Sequence, residues 1–168
     1  MILPGAGRQG RPSRVGVPGS RSRSRSRPLR RPHQGRILVV EDDELLRDAM
    51  GLLLEEQGHQ IAFAENGREA LTWLHAHPLP DVIVLDLRMP VMSGWEFRAI
   101  QKVDPELALV PVVAISADGS AHAASISAQA YLHKPIDPRH LLATIENVLE
   151  NVLENGLIEG ALQASSPR

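Results

Sequence analysis

Two short aliphatic runs in this 168-residue chain end in acid. Ile37-Leu38-Val39-Val40 runs into Glu41-Asp42-Asp43, and Val82-Ile83-Val84-Leu85 closes on Asp86, followed by Leu87-Arg88-Met89-Pro90. Runs of four residues rich in Val and Ile fit strands buried on both faces of a parallel sheet. In open sheets of that kind, ligands bind in the crevice beyond the carboxyl ends of the strands. Glu41, Asp42 and Asp86 therefore gather at one sheet edge, where they repel one another unless a cation sits among them. Three carboxylates suit Mg²⁺, which takes a few carboxylates and keeps several waters.

Two later runs place other groups at the same edge. Val112-Val113-Ala114-Ile115 ends at Ser116, and Tyr131-Leu132-His133 runs into Lys134-Pro135. Lys134 supplies a point charge for an anion, and Ser116 a hydroxyl donor. A metal, an amine and a hydroxyl around one carboxylate are the equipment for placing a phosphoryl group on it. That transfer depends on positioning and on neutralising the equatorial oxygens, and aspartyl phosphate is a known covalent state.

The elements that must hold these residues alternate regularly. Strand 36–41 leads to a helix at 44–57, where Leu45, Leu46, Met50, Leu53 and Leu54 recur at helical spacing and Gly58 ends the run. Strand 60–64, a helix at 67–76, strand 81–86 and a helix at 94–103 follow. Strand 111–116, a weak helix at 120–129, strand 130–133 and a last helix at 138–155 complete the pattern. Five strands alternating with five helices specify a doubly wound α/β sheet with right-handed crossovers. A tandem repeat, Glu146-Asn147-Val148-Leu149 then Glu150-Asn151-Val152-Leu153, extends the last helix by about one turn.

Composition narrows the setting. Hydrophobic residues make up 43% of the chain and aromatics 3%, so the core is aliphatic. The absence of cysteine excludes disulfides, thiolate metal sites and cysteine nucleophiles, and suits a reducing compartment. No apolar stretch is long enough to span a bilayer, so a cytoplasmic protein without a membrane partner is expected. The net charge of −2 hides an asymmetry: residues 1–36 hold ten arginines and no acid, whereas the remainder carries −12. Residues 1–35, rich in Arg, Ser, Pro and Gly, are expected to form a disordered arm ahead of a domain at 36–155 and a flexible tail at 156–168. A spacer, or a stretch upstream of the true start, explains the arm better than nucleic-acid binding, because no aromatic residue interleaves its arginines. An Arg/Ser-rich targeting segment is a further reading.

In these motifs, taken in combination and order over residues 36–153, the chain resembles the receiver domain of two-component response regulators. The segments are Ile37 to Asp43, Val82 to Pro90 with Met92-Ser93-Gly94, Val112 to Ala117 and Tyr131 to Pro135. The resemblance implies a flavodoxin-like, five-stranded sheet in the order 2-1-3-4-5. It also implies residue roles. Asp86 would accept a phosphoryl group from a histidine kinase or histidine phosphotransfer protein. Asp42 would bind Mg²⁺ directly, Glu41 would act mainly through water, and the Arg88 backbone carbonyl would join Asp86 in completing the set. Lys134 would pair with phosphoryl oxygens, ahead of a cis bond to Pro135. Ser116 would move towards the phosphoryl group and Tyr131 would turn inward, a two-state switch read by an unidentified downstream protein.

Most of these positions also fit simpler structural roles. Asp43 fits a solvated acid at a helix start, and Ser116, Tyr131 and Lys134 taken singly fit strand-end or rim positions. His75 and His77 lack a third ligand, and Trp73 and Trp95 fit packing or surface positions. The stretch from Ser116 to Lys134 is about one helical turn shorter than usual for the family, with Ile126 its main apolar anchor, so its helix is expected to be short and loosely held. Arg88, Ala117 and Asp118 flank the pocket, where Arg88 and Asp118 are expected to pair across the mouth. A weak homodimer through the last helix would need cations beside Glu146, Glu150 and Glu154. The rival class is a nucleic-acid-associated regulator that binds through residues 1–35. A Mg²⁺-dependent phosphatase of similar topology would need an aspartate where Arg88 stands.

Overall fold

A computed structural model describes residues 34–117 and 126–164, with side chains as far as residue 155. Five parallel strands form one sheet in the order β2-β1-β3-β4-β5. They are β1 (Arg36–Val40), β2 (Gln60–Ala64), β3 (Val82–Asp86), β4 (Val112–Ser116) and β5 (Ala130–His133). Four α-helices accompany them among the described residues: α1 (Glu44–Glu56), α2 (Gly67–Ala76), α3 (Gly94–Val103) and α4 (Pro138–Ala164).

Alternation along the strands explains why the aliphatic runs are continuous. Leu38, Val40, Ile83, Leu85 and Ala114 pack on one face with Ala70, Leu74 and Phe97 of α2 and α3. Ile37, Val39, Val82, Val84, Val113 and Ile115 pack on the other with Met50 and Leu54 of α1 and Leu141 and Ile145 of α4. Each fully buried Val, Leu or Ile contributes roughly 1.5–3 kcal/mol, so these two layers dominate the folding energy. The register sets Val40 of β1 opposite Leu85 of β3.

Helix starts are fixed by side chains that take up open N–H groups. Asp43 accepts from Leu46 N at 3.1 Å, and Asn66 accepts from Arg68 N and Glu69 N at 3.0 Å each. Ser93 and Glu96 form a reciprocal capping box at α3. Gly58, at φ 91°, turns the chain after α1 into β2.

Two expectations need correction. A helix was expected over 120–129; residues 118–125 lie outside the described residues, and 127–129 run as open chain into β5. The carbonyls of Ile126 and Ser127, which a continuing helix would need for itself, are instead bound by Arg98 of α3. The last helix was expected to end at 155 but continues through Gly156 to Ala164. One interior glycine costs only about 1 kcal/mol, and Leu157-Ile158-Glu159 resumes helix-forming sequence beyond it.

Candidate functional site

Glu41 and Asp86 stand at the carboxyl ends of neighbouring central strands, and both are buried, at 1% and 3% exposure. The Glu41 backbone is pinned on both sides: its N–H donates to Ala64 O at 3.1 Å, and its carbonyl accepts from Arg47 Nη1 at 2.9 Å. Its carboxylate accepts from Asp43 N at 3.3 Å through Oε1 and from Lys134 Nζ at 2.9 Å through Oε2. Asp86 accepts from Arg88 N at 3.3 Å through Oδ1, and its Oδ2 lies 3.1 Å from Lys134 Nζ. Asp42 lies exposed beside them, and oxygens of Glu41, Asp42 and Asp86 lie within 4.8 Å of one another.

Lys134 reaches this cluster because β5 delivers it there. Its backbone N–H donates to Ser116 O at 3.0 Å, which ties the ends of β4 and β5 together. The following peptide bond, Lys134–Pro135, is cis, as expected. Ser116 is buried at its strand end, and Ala117 is exposed beyond it. Asp118 lies outside the described residues, so the expected partner for exposed Arg88 across the pocket mouth does too.

Gly94 admits α3 to the back of the site. A Cβ there would lie 2.4 Å from Asp86 O and 2.8 Å from Leu87 Cα, both backbone atoms that cannot move aside. With none, the Gly94 N–H donates to Leu87 O at 3.1 Å and fixes the loop carrying Arg88.

Electrostatics follow from the crowding. Burial raises the pKa of Glu41; the hydrogen bond from Lys134 works against that rise and the charge of Asp86 adds to it. Burial pulls the Lys134 ammonium down, but its bonds to Glu41 and Asp86 and their charges outweigh that and leave it raised. One ammonium thus faces three carboxylates. The remaining deficit of positive charge and the all-oxygen donor set suit a hard divalent cation such as Mg²⁺.

Other sequence-singled residues sit elsewhere. Tyr131 is 39% exposed, and its hydroxyl accepts from Ala128 N at 2.9 Å, so it is turned outward in this unphosphorylated chain. His75 and His77 bond the carbonyls of Leu71 and Trp73 one turn back on α2, and His77 stacks on Trp73. Trp95 packs against the core. Asp43 is the cap of α1.

Arg47 escaped the sequence reading. It is 8% exposed, holds the Glu41 carbonyl and lies 3.7 Å from Glu65. Its signal was its place with Met50 and Leu54 on the buried stripe of α1, three and seven residues ahead.

The family model for the response regulator receiver domain matches residues 37–146. The polar-differentiation response regulator DivK of Brucella anthropi is 32% identical over 117 residues, covering 67% of this chain and 94% of that protein. The phosphate regulon transcriptional regulatory protein PhoB of Klebsiella pneumoniae is 35% identical over 118 residues, covering 68% and 51% respectively. The chain spans about half the length of the first curated relatives it matches. The solved structure of the chemotaxis response regulator CheY4 of Vibrio cholerae superposes with a TM-score of 0.63 at 28% identity, covering 68% of this chain and 98% of that one. Receiver domains are in general signalling modules rather than enzymes and bind Mg²⁺ through an acidic pocket. No helix among the described residues is long and apolar enough to cross a membrane. A family match spanning all five strands, joined to acids at the carboxyl ends of β1 and β3 and an amine after β5, makes this chain a member of the response regulator receiver domain family of two-component systems.

Proposed function

We propose that the chain is a phosphoacceptor that takes a phosphoryl group onto Asp86 from the phosphohistidine of a kinase or phosphotransfer protein and signals by a conformational change. The observation that carries this reading is the buried Asp86 carboxylate, 3.1 Å from Lys134 Nζ and clustered with Glu41 and Asp42. An Asp86 oxygen attacks phosphorus, the P–N bond to the donor imidazole breaks, and an acyl phosphate forms. Lys134 exchanges its contact with Asp86 for one with a phosphoryl oxygen. Ser116, whose strand end is tied to Lys134, offers a second donor. Glu41, Asp42, Asp86 and the Arg88 carbonyl would hold Mg²⁺, which supplies charge neutralisation at the phosphoryl oxygens. Attack by water then returns the free carboxylate.

In this reading residues 36–155 form the receiver unit, 1–35 a spacer and 156–168 a tail, and the protein works in the cytoplasm on a downstream protein. Incubation with acetyl phosphate and Mg²⁺, followed by intact-mass measurement, tests the chemistry. One added phosphoryl group on the wild type and none on Asp86→Asn is expected; no gain on the wild type would sink the proposal. The ten arginines of residues 1–36 favour one second reading, nucleic-acid association through that segment. Salt-sensitive retention on nucleic acid, lost on deletion of residues 1–35, would support it.

A further inference from the structure

Arg98 of α3 is 6% exposed, yet its hydrogen bonds among the described residues end on uncharged oxygens. Its Nε donates to Ile126 O at 3.2 Å, its Nη2 to Ser127 O at 2.8 Å and its Nη1 to Gln101 Oε1 at 2.8 Å. Among the described residues no carboxylate lies within ion-pair distance of it. Its guanidinium instead takes up the backbone carbonyls at 126 and 127, so the side chain ties this turn to α3 as well as filling space.

Its surroundings show what it holds. Gln101, fully buried, donates from Nε2 to Leu107 O at 2.9 Å and to Val110 O at 3.0 Å. Lys102 Nζ lies 3.5 Å from Ser127 Oγ. One side of α3 therefore grips both the approach to β4 and the end of the β4–β5 connection. Ser127 sits at φ 53°, in the left-handed region that a non-glycine residue adopts only when held. The next residue, Ala128, donates its N–H to the Tyr131 hydroxyl at 2.9 Å. A continuous hydrogen-bonded path thus runs from Arg98 through the 126–128 turn to Tyr131. The connection leaves β4 one residue past Ser116, at the edge that holds the acid cluster, and returns to the opposite edge, where Gln129 N donates to Val112 O at 2.9 Å; β5 then carries the chain from the 126–128 turn back to Lys134.

We propose that Arg98 is a positioning residue, a latch that holds the 126–128 turn and, through Ala128, the Tyr131 hydroxyl in the outward arrangement. Release of this turn is the step by which phosphorylation at Asp86 reaches this corner of the surface. The latch itself stands on the geometry of Arg98, whereas its release rests on the phosphoacceptor reading.

Residue-resolved amide exchange on the full chain tests it. In Arg98→Leu the Ala128 amide should exchange about tenfold faster, as expected for loss of charge-assisted bonds, while Val84 and Leu85 in β3 stay protected. Arg98→Lys should recover part of the protection. Tyr131→Phe, which leaves Arg98 in place, should expose Ala128 but not Gln129, whose N–H goes to Val112 O. Should Arg98→Leu fail to fold, these two variants carry the test. Beryllium fluoride with Mg²⁺ should speed Ala128 exchange in the wild type and add nothing further in Arg98→Leu. Unchanged Ala128 exchange in Arg98→Leu, or a parallel rise across β3, overturns the latch. A phosphorylatable wild type whose Ala128 ignores beryllium fluoride overturns the coupling and leaves the phosphoacceptor reading intact. Failure of acetyl phosphate to add mass overturns that reading instead, and the latch is still judged by Arg98→Leu.

Discussion

The two ends of the sheet use polar side chains in opposite ways. At the amino end, each closes an open backbone group. Asp81 accepts from Arg36 N at 2.7 Å, His59 from Gly35 N at 3.1 Å and Gln129 from Val112 N at 2.7 Å, while Gln101 caps two carbonyls. At the carboxyl end, Glu41 and Asp86 share one ammonium with Asp42 beside them. Satisfied backbone groups favour folding; like charges crowded together oppose it and call for a ligand. The contrast marks which end is for holding and which for reacting.

Substitutions at the two ends should therefore separate chemistry from stability. The largest effect is expected from Lys134→Ala, which should slow acyl-phosphate formation from acetyl phosphate by about a hundredfold, as when a preorganised charge-stabilising donor is removed. Its metal-free melting temperature should also fall, because buried Glu41 and Asp86 lose the ammonium they share, and Mg²⁺ should recover part of that loss; rapid phosphorylation of that variant would break the comparison. At the other end, Gln101→Leu strands the carbonyls of Leu107 and Val110 and should cost about 2 kcal/mol in denaturant unfolding, with phosphorylation of the folded fraction unchanged.

Metal response sharpens the contrast further. Mg²⁺ at a hundred times its dissociation constant should stabilise the wild type by about 2.7 kcal/mol. Because burial and Asp86 raise the pKa of Glu41, its ionised form opposes folding at neutral pH. Glu41→Gln should therefore raise the metal-free melting temperature and shrink the Mg²⁺-induced rise. An equal rise in both proteins would count against Glu41 as part of the cation site.

The smallest effect belongs to His59. Burial lowers its pKa, and Glu146 pulls weakly the other way. The unfolded chain takes up a proton that the folded one resists, so stability is full above the ordinary value of about 6.5 and falls as pH drops through the lowered folded value. His59→Gln should flatten that slope in melting curves between about pH 7.5 and 5.5; an unaltered slope would assign it to other groups.

Much of this architecture was legible because the strands are buried on both faces and therefore read as unbroken aliphatic runs. Their ends could be found to within a residue, and Asp86 and Lys134 stood out as polar groups just where those runs stop. Arg98 and Gln101 did not stand out, because a helical-period reading sends polar residues to solvent. Only the folded chain reveals that carbonyls at 107, 110, 126 and 127 need donors from α3. The stretch over 120–129, poor in large apolar residues, gave periodicity little to act on. The inward turn expected of Tyr131 belongs to the phosphorylated state; the outward partner its hydroxyl has here, Ala128 N, is one a strand pattern does not foretell.

Pairing of Val40 with Leu85 has a consequence for how such a chain tolerates change. Losing or gaining one residue within either strand would send its terminal acid to the opposite face of the pleat and dissolve the pocket without touching a charged residue. Length in the two middle strands is thus as strictly constrained as the acids themselves, and insertions are tolerated best in surface connections away from that edge.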